Sequence, residues 1–99
     1  MPVLSLVSAS IPPEHRDEVS RAYSAAIERG LPVGIRETFL LLGDDGTMAV
    51  ATVWERPEDL DAMRASGEEP LARRILREAG GAPDAAFFEI VREARSTAA

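Results

Sequence analysis

Residues 35 to 55 read IRETFLLLGDDGTMAVATVWE, two apolar arms rich in Thr, Val, Phe and Leu on either side of a Gly43-Asp44-Asp45-Gly46 turn. β-Branched and aromatic runs fit a pleated surface, and Gly and Asp accept the backbone of a tight turn, so the stretch predicts a β-hairpin. Side chains alternate between the faces of a strand. The first arm then places Ile35, Glu37, Phe39 and Leu41 on one side, and Arg36, Thr38, Leu40 and Leu42 on the other. The second arm divides Met48, Val50, Thr52 and Trp54 from Ala49, Ala51 and Val53. Neither face is polar enough to be left to water. So short a chain has few helices to spare, and a second copy of the same sheet is the expected cover for one face.

Outward from the hairpin, Val3 to Ser10 is a strand candidate that Ile11, Pro12 and Pro13 stop. Proline suits a first helical turn, and Glu14, Asp17 and Glu18 suit the positive end of a helix dipole, so a helix begins here. Val19, Ala22, Tyr23, Ala26 and Ile27 form its apolar stripe, and Gly30 and Pro32 end it. After Trp54, Pro57 opens a short helix that runs to about Ser66. Another starts near Glu68 to Pro70, with Leu71, Ala72, Ile75, Leu76 and Ala79 as its apolar face, and stops at Gly80 and Gly81. Ala85 to Glu93 is the last strand, and the tail from Ala94 to Ala99 is expected to be loose. The order β, α, β, β, α(α), β is the split β-α-β pattern of a ferredoxin-like α+β fold: a four-stranded antiparallel sheet with its helices on one face.

The 99 residues make one domain, with 45% hydrophobic and 28% charged residues and a net charge of −6. An acidic balance disfavours nucleic acid and anionic membrane as partners. All 11 basic residues are arginine, and the chain has no Lys, Asn, Gln or Cys. That excludes disulfides, thiolate chemistry and a Schiff-base lysine. A single histidine cannot build a multi-histidine metal centre, and no metal or other cofactor is expected. The N-terminus lacks the pattern of a signal peptide and no stretch is long enough to span a bilayer, so the expected location is cytoplasmic.

The first strand VLSLVSAS, the hairpin, and above all TVWERPEDLDAMRAS, residues 52 to 66, resemble the antibiotic biosynthesis monooxygenase-like domains of the dimeric α+β barrel superfamily. Members often carry a strand that ends in Trp-Glu and runs into a helix through Ser or Pro and acidic residues. The resemblance implies a homodimer with its sheets packed face to face and a small-molecule pocket between sheet and helices. It also implies two kinds of activity: monooxygenation of aromatic polyketides or quinols without metal or flavin, and haem degradation. The histidine that several relatives carry after the tryptophan would fall near Met63 or Arg64. The asparagine that haem degraders use on the first strand has no counterpart here.

Within that frame the candidate residues are few. Trp54 either walls a pocket and stacks on an aromatic ligand or anchors the hairpin to the next helix. Tyr23 offers a hydroxyl either to a ligand or to the rim. His15 is the only side chain with an ordinary pKa near neutrality, and so the ready-made general base, although the first turn of a helix is usually solvated. Arg36 and Arg64 offer a positive charge to an acidic ligand group if they point inward. Phe39 and Met63 are core by default and pocket lining otherwise. The functional expectation is a cofactor-independent monooxygenase acting on a small aromatic or quinol-like compound. The alternatives are a non-catalytic ligand-binding or stress-associated dimer and an amino-acid-binding regulatory module.

Overall fold

The computed structural model describes residues 1–96. Strand β1 spans Val3–Ser10, and a 3₁₀ turn at Pro13–His15 leads into helix α1, Arg16–Glu28. The hairpin is β2, Ile35–Leu42, and β3, Thr47–Trp54; helices α2, Pro57–Ala65, and α3, Leu71–Glu78, follow, and β4 is Asp84–Glu89. The four strands form one antiparallel sheet in the order β2-β3-β1-β4. That is the ferredoxin-like arrangement read from the sequence.

The hairpin turn is fixed by its own chemistry. Thr47 N donates to Asp45 Oδ1 at 3.0 Å, Gly43 N donates to Thr47 O at 2.8 Å, and Gly46 takes φ +85°. Only glycine adopts that left-handed backbone without a steric penalty. The second arm keeps the expected faces, but the first does not. A β-bulge between Ile35 and Glu37 pairs Ile35 with Trp54 while Glu37 faces Val53. One extra residue reverses the alternation. Ile35 therefore lies on the helix side with Thr38 and Leu40, and is not with Phe39 and Leu41, where unbroken period-two counting put it.

The core lies between the sheet and α1 and α3. Val7, Ala9 and Met48 pack with Ile11, Val19, Ile75, Leu76 and Ala79 in one buried cluster. Val19 and Leu76 have no exposed surface, and burying each contributes about 1.5–3 kcal/mol. Gly81 follows α3 because a Cβ there would meet Ala9 Cβ at 2.7 Å and Leu76 O at 3.0 Å. Helix α2 buries Leu60 and begins with Pro57, Glu58 and Asp59, the residues its dipole favours.

Strand β4 is shorter than expected. Ile90 N donates to Pro2 O at 3.0 Å, the ladder stops at Glu89, and the chain then leaves the β1 edge. Glu93 accepts from Arg36 Nη2 at 2.9 Å, which ties the segment after β4 to the far edge strand. The last three positions of the tail expected to be loose lie outside the described residues.

Candidate functional site

A cavity of about 320 Å³ lies between the sheet and the helices. Its floor is the inward side of the strands: Ser5 and Val7 from β1, Thr38 from β2, Val50, Thr52 and Trp54 from β3, and Ala85 and Phe87 from β4. Tyr23, Ala26 and Ile27 of α1, Met63 and Arg64 of α2, and Leu71, Ala72 and Ile75 of α3 make the opposite wall. The volume is at the lower end of the range for small-molecule sites, and the lining is mostly apolar with a few convergent polar groups.

Position in the elements explains each side chain. Trp54 ends β3 on the helix side, is 4% exposed, and donates its indole N–H to Ser5 Oγ at 3.1 Å. A buried indole needs that acceptor. Tyr23 is half-buried on the α1 stripe, with its hydroxyl 3.4 Å from Thr38 Oγ1. Thr38 Oγ1 is in turn 3.4 Å from Thr52 Oγ1. Arg64 is exposed, forms no ion pair among the described residues, and holds its guanidinium 4.4 Å from the centre of the Phe87 ring. The ring face attracts the cation and keeps it against the wall, where Arg64 also borders a second cleft beside Leu60 and Phe88. Glu68 is the one carboxylate on the lining.

Of the residues singled out from sequence, Trp54, Tyr23, Met63 and Arg64 meet at this cavity. Three others lie elsewhere. His15 is in the 3₁₀ turn with its Nδ1 3.6 Å from Glu18 Oε1, both side chains about half exposed. Arg36 is the bulge residue, turned toward Glu93 at 2.9 Å and Glu55 at 4.0 Å. Phe39 faces away from the helices, 46% exposed, because its register partner is Ala51, on the open side of β3. Ser5, Thr38, Thr52, Phe87 and Glu68 were not singled out. The hydroxyl residues had a visible signal, since each interrupts an apolar inward face at period two; Glu68 and Phe87 had none beyond their helix-start and strand patterns. No group of three or more His, Cys, Asp or Glu able to hold a metal occurs among the described residues. No helix among them is long and apolar enough to cross a membrane.

No protein-family model matches the chain, and no curated protein matches it. Solved structures do. SnoaB, a cofactor-independent oxygenase from Streptomyces nogalater, superposes with a TM-score of 0.69 at 14% identity, covering 93% of this chain and 95% of its own. A Deinococcus radiodurans protein provisionally classed as an antibiotic biosynthesis monooxygenase gives 0.68 at 14% identity over 98% of this chain and 99% of that one. A haem-degrading protein from Mycobacterium tuberculosis gives 0.68 at 21% identity over 96% and 100%. The chain has the fold of the antibiotic biosynthesis monooxygenase-like proteins, a ferredoxin-like α+β subunit. At these identities the likeness is one of fold.

Proposed function

We infer that the protein binds a small aromatic or quinol-like molecule in the cavity under Trp54 and oxidises it with dioxygen without a cofactor. The observation that carries this reading is the cavity itself: apolar, about 320 Å³, walled by Trp54 and Phe87, and provided with a small set of hydroxyls. Dioxygen reacts slowly with closed-shell molecules, but an anthrone or hydroquinone that has lost a proton is electron-rich enough to reduce it. An anthrone CH₂ and one O₂ give a quinone carbonyl and water, with all electrons supplied by the substrate. The protein then has to hold a flat ring, exclude water, and accept a proton. Trp54 and Phe87 serve the first task, and the apolar wall of α1 and α3 the second. Glu68 is the acceptor at the cavity edge, and Tyr23 a hydroxyl donor to the anion left behind.

The second reading, a binding protein without turnover, is favoured by one observation: the polar groups that the strands present to the cavity, Ser5, Thr38 and Thr52, are hydroxyls, and His15 is outside it. Oxygen uptake with a panel of hydroquinones and anthrones decides between the two. Uptake by the parent above the buffer rate, falling at least about tenfold in Trp54→Ala and in Glu68→Gln, supports the oxygenase. Buffer-level uptake across the whole panel supports the binder.

The same reading includes a homodimer through the open sheet face. That face carries Leu4, Leu6, Phe39, Leu41, Ala86 and Phe88 around Ala49, Ala51 and Val53, which are already buried, with Glu37, Ser8 and Asp84 at its ends; Phe39, Leu41 and Phe88 are 46%, 45% and 51% exposed. A contiguous apolar sheet surface is an association surface, and a twofold axis lets it cover itself.

A further inference from the structure

One register row crosses three strands on the helix side of the sheet. Thr38 of β2 is the cross-strand partner of Thr52 of β3, and Thr52 is the partner of Ser5 of β1. All three line the cavity. Tyr23 closes one end of the row, its hydroxyl 3.4 Å from Thr38 Oγ1, and the Trp54 indole closes the other, 3.1 Å from Ser5 Oγ. Period-two alternation puts Val7 and Val50 on the neighbouring inward positions, so the row is a polar line on an apolar floor.

The hydrogens of this row outnumber its bonds. Tyr23, Thr38, Thr52 and Ser5 each carry one hydroxyl hydrogen and Trp54 one N–H, whereas the contacts that join them are Tyr23 to Thr38, Thr38 to Thr52, and Trp54 to Ser5. Five hydrogens against three contacts leave two without an acceptor in the row. Trp54 only donates, so the Ser5 hydrogen is one that must point elsewhere. The two O···O contacts are also long at 3.4 Å, against about 2.7–2.8 Å for a good hydroxyl bond. Ser5 and Thr52 are buried, and buried hydroxyls with poor acceptors are unfavourable until something accepts from them.

We propose that the Thr38, Thr52 and Ser5 row is a donor floor that selects flat ring ligands carrying a carbonyl-type oxygen, which accepts from the row while the ring lies against Trp54 and Phe87. A carbonyl oxygen has two lone pairs and no hydrogen, the complement of a row with two hydrogens to place. A ring without oxygen leaves those hydroxyls dry and unpaired, and a site built to hydrogen-bond a ligand discriminates against the analogue that lacks the partner. The proposal rests on the aromatic-ligand reading of the cavity and specifies which end of the ligand enters first.

Naphthalene and 1,4-naphthoquinone share a bicyclic frame and differ in the carbonyls. The chain has no Cys or Lys side chain to trap the quinone. Binding is followed by quenching of Trp54, the only tryptophan, and by calorimetry. The quinone binds the parent about tenfold more tightly, the effect of one net hydrogen bond. Thr52→Val and Thr38→Val lose most of that preference with naphthalene affinity unchanged, and Thr52→Ser, which restores a hydroxyl, keeps it. Equal affinity of the two probes for the parent overturns the proposal, as does a Thr→Val change that weakens both probes by the same factor. If neither probe binds, the aromatic-ligand reading falls and this proposal with it; naphthalene binding as well as the quinone removes the donor floor alone.

Discussion

Truncating Phe39 separates the two sides of the sheet. Phe39 is 46% exposed on the open face. A phenylalanine side chain offers about 200 Å², so roughly 90 Å² of it faces outward, and truncation to alanine removes about 70 Å² of that. At about 25 cal/mol per Å² the loss is close to 1.7 kcal/mol per copy. In a twofold dimer each substitution counts twice, which gives about 3.5 kcal/mol, or a few-hundred-fold in the dimer dissociation constant. The entropy of association is common to parent and variant and cancels in the difference. Sedimentation equilibrium across a dilution series measures both constants. Phe87→Ala is the internal control, because Phe87 lies on the cavity side, paired with Ser5, and leaves dimerisation unchanged. A parent that stays monomeric at every concentration rules out a sheet-face dimer, and so does a Phe39→Ala constant within about threefold of the parent's.

Other consequences concern the core, a glycine in left-handed backbone and acid stability. Leu76→Ala, at a position with no exposed surface, lowers unfolding free energy by about 2–5 kcal/mol, read from urea midpoints. Gly34→Ala is destabilising by more than about 1 kcal/mol, because Gly34 has φ +97° and a Cβ there would meet the Asp59 side chain at 2.5 Å; an unchanged urea midpoint contradicts this. The backbone N–H of Thr47 holds the Asp45 carboxyl below its ordinary value of 3.8, and hydrogen bonds from Arg77 hold Glu69 below 4.5. Both are depressed in the folded state, so their contribution is complete above the unfolded values and disappears as pH falls through the folded ones. Carboxyl NMR titration then places both midpoints below those ordinary values, and in Arg77→Ala the Glu69 midpoint returns toward 4.5.

Most of the fold was legible because each element carries its own period and punctuation. The β1 bounds follow from Pro12 and Pro13, the hairpin from Gly43 to Gly46, and α3 from a stripe that buries Ile75 and Leu76. The bulge at Arg36 was not legible: IRETFLLL has no glycine or other mark at the extra residue, and the irregularity arises where Ile35 pairs with Trp54. That single step moved Ile35 to the cavity side and turned Arg36 toward Glu55 and Glu93. The end of β4 was equally hidden, since Ile90 and Val91 are good strand residues and pairing ends only because β1 runs out at Pro2, which accepts from Ile90 N and has no N–H to return. At the site, Trp54 and Tyr23 were visible as lone aromatics on apolar faces. The hydroxyl row needed inter-strand register, which one strand's sequence does not contain: Ser5, Thr52 and Thr38 each interrupt an apolar face, but only pairing lines them up.

Filling the cavity is the sharpest test of a ligand site beneath Trp54. Ala26, on the inner side of α1, borders the space and is buried, so Ala26→Phe puts a ring where the ligand would lie. The measurement is the titration of Trp54 fluorescence with 1,4-naphthoquinone, alongside urea midpoints to show that the variant is folded. Saturable quenching in the parent that is lost in a folded Ala26→Phe is the expected result. Saturable quenching with the same affinity in both proteins, or none in the parent, contradicts a ligand site beneath Trp54.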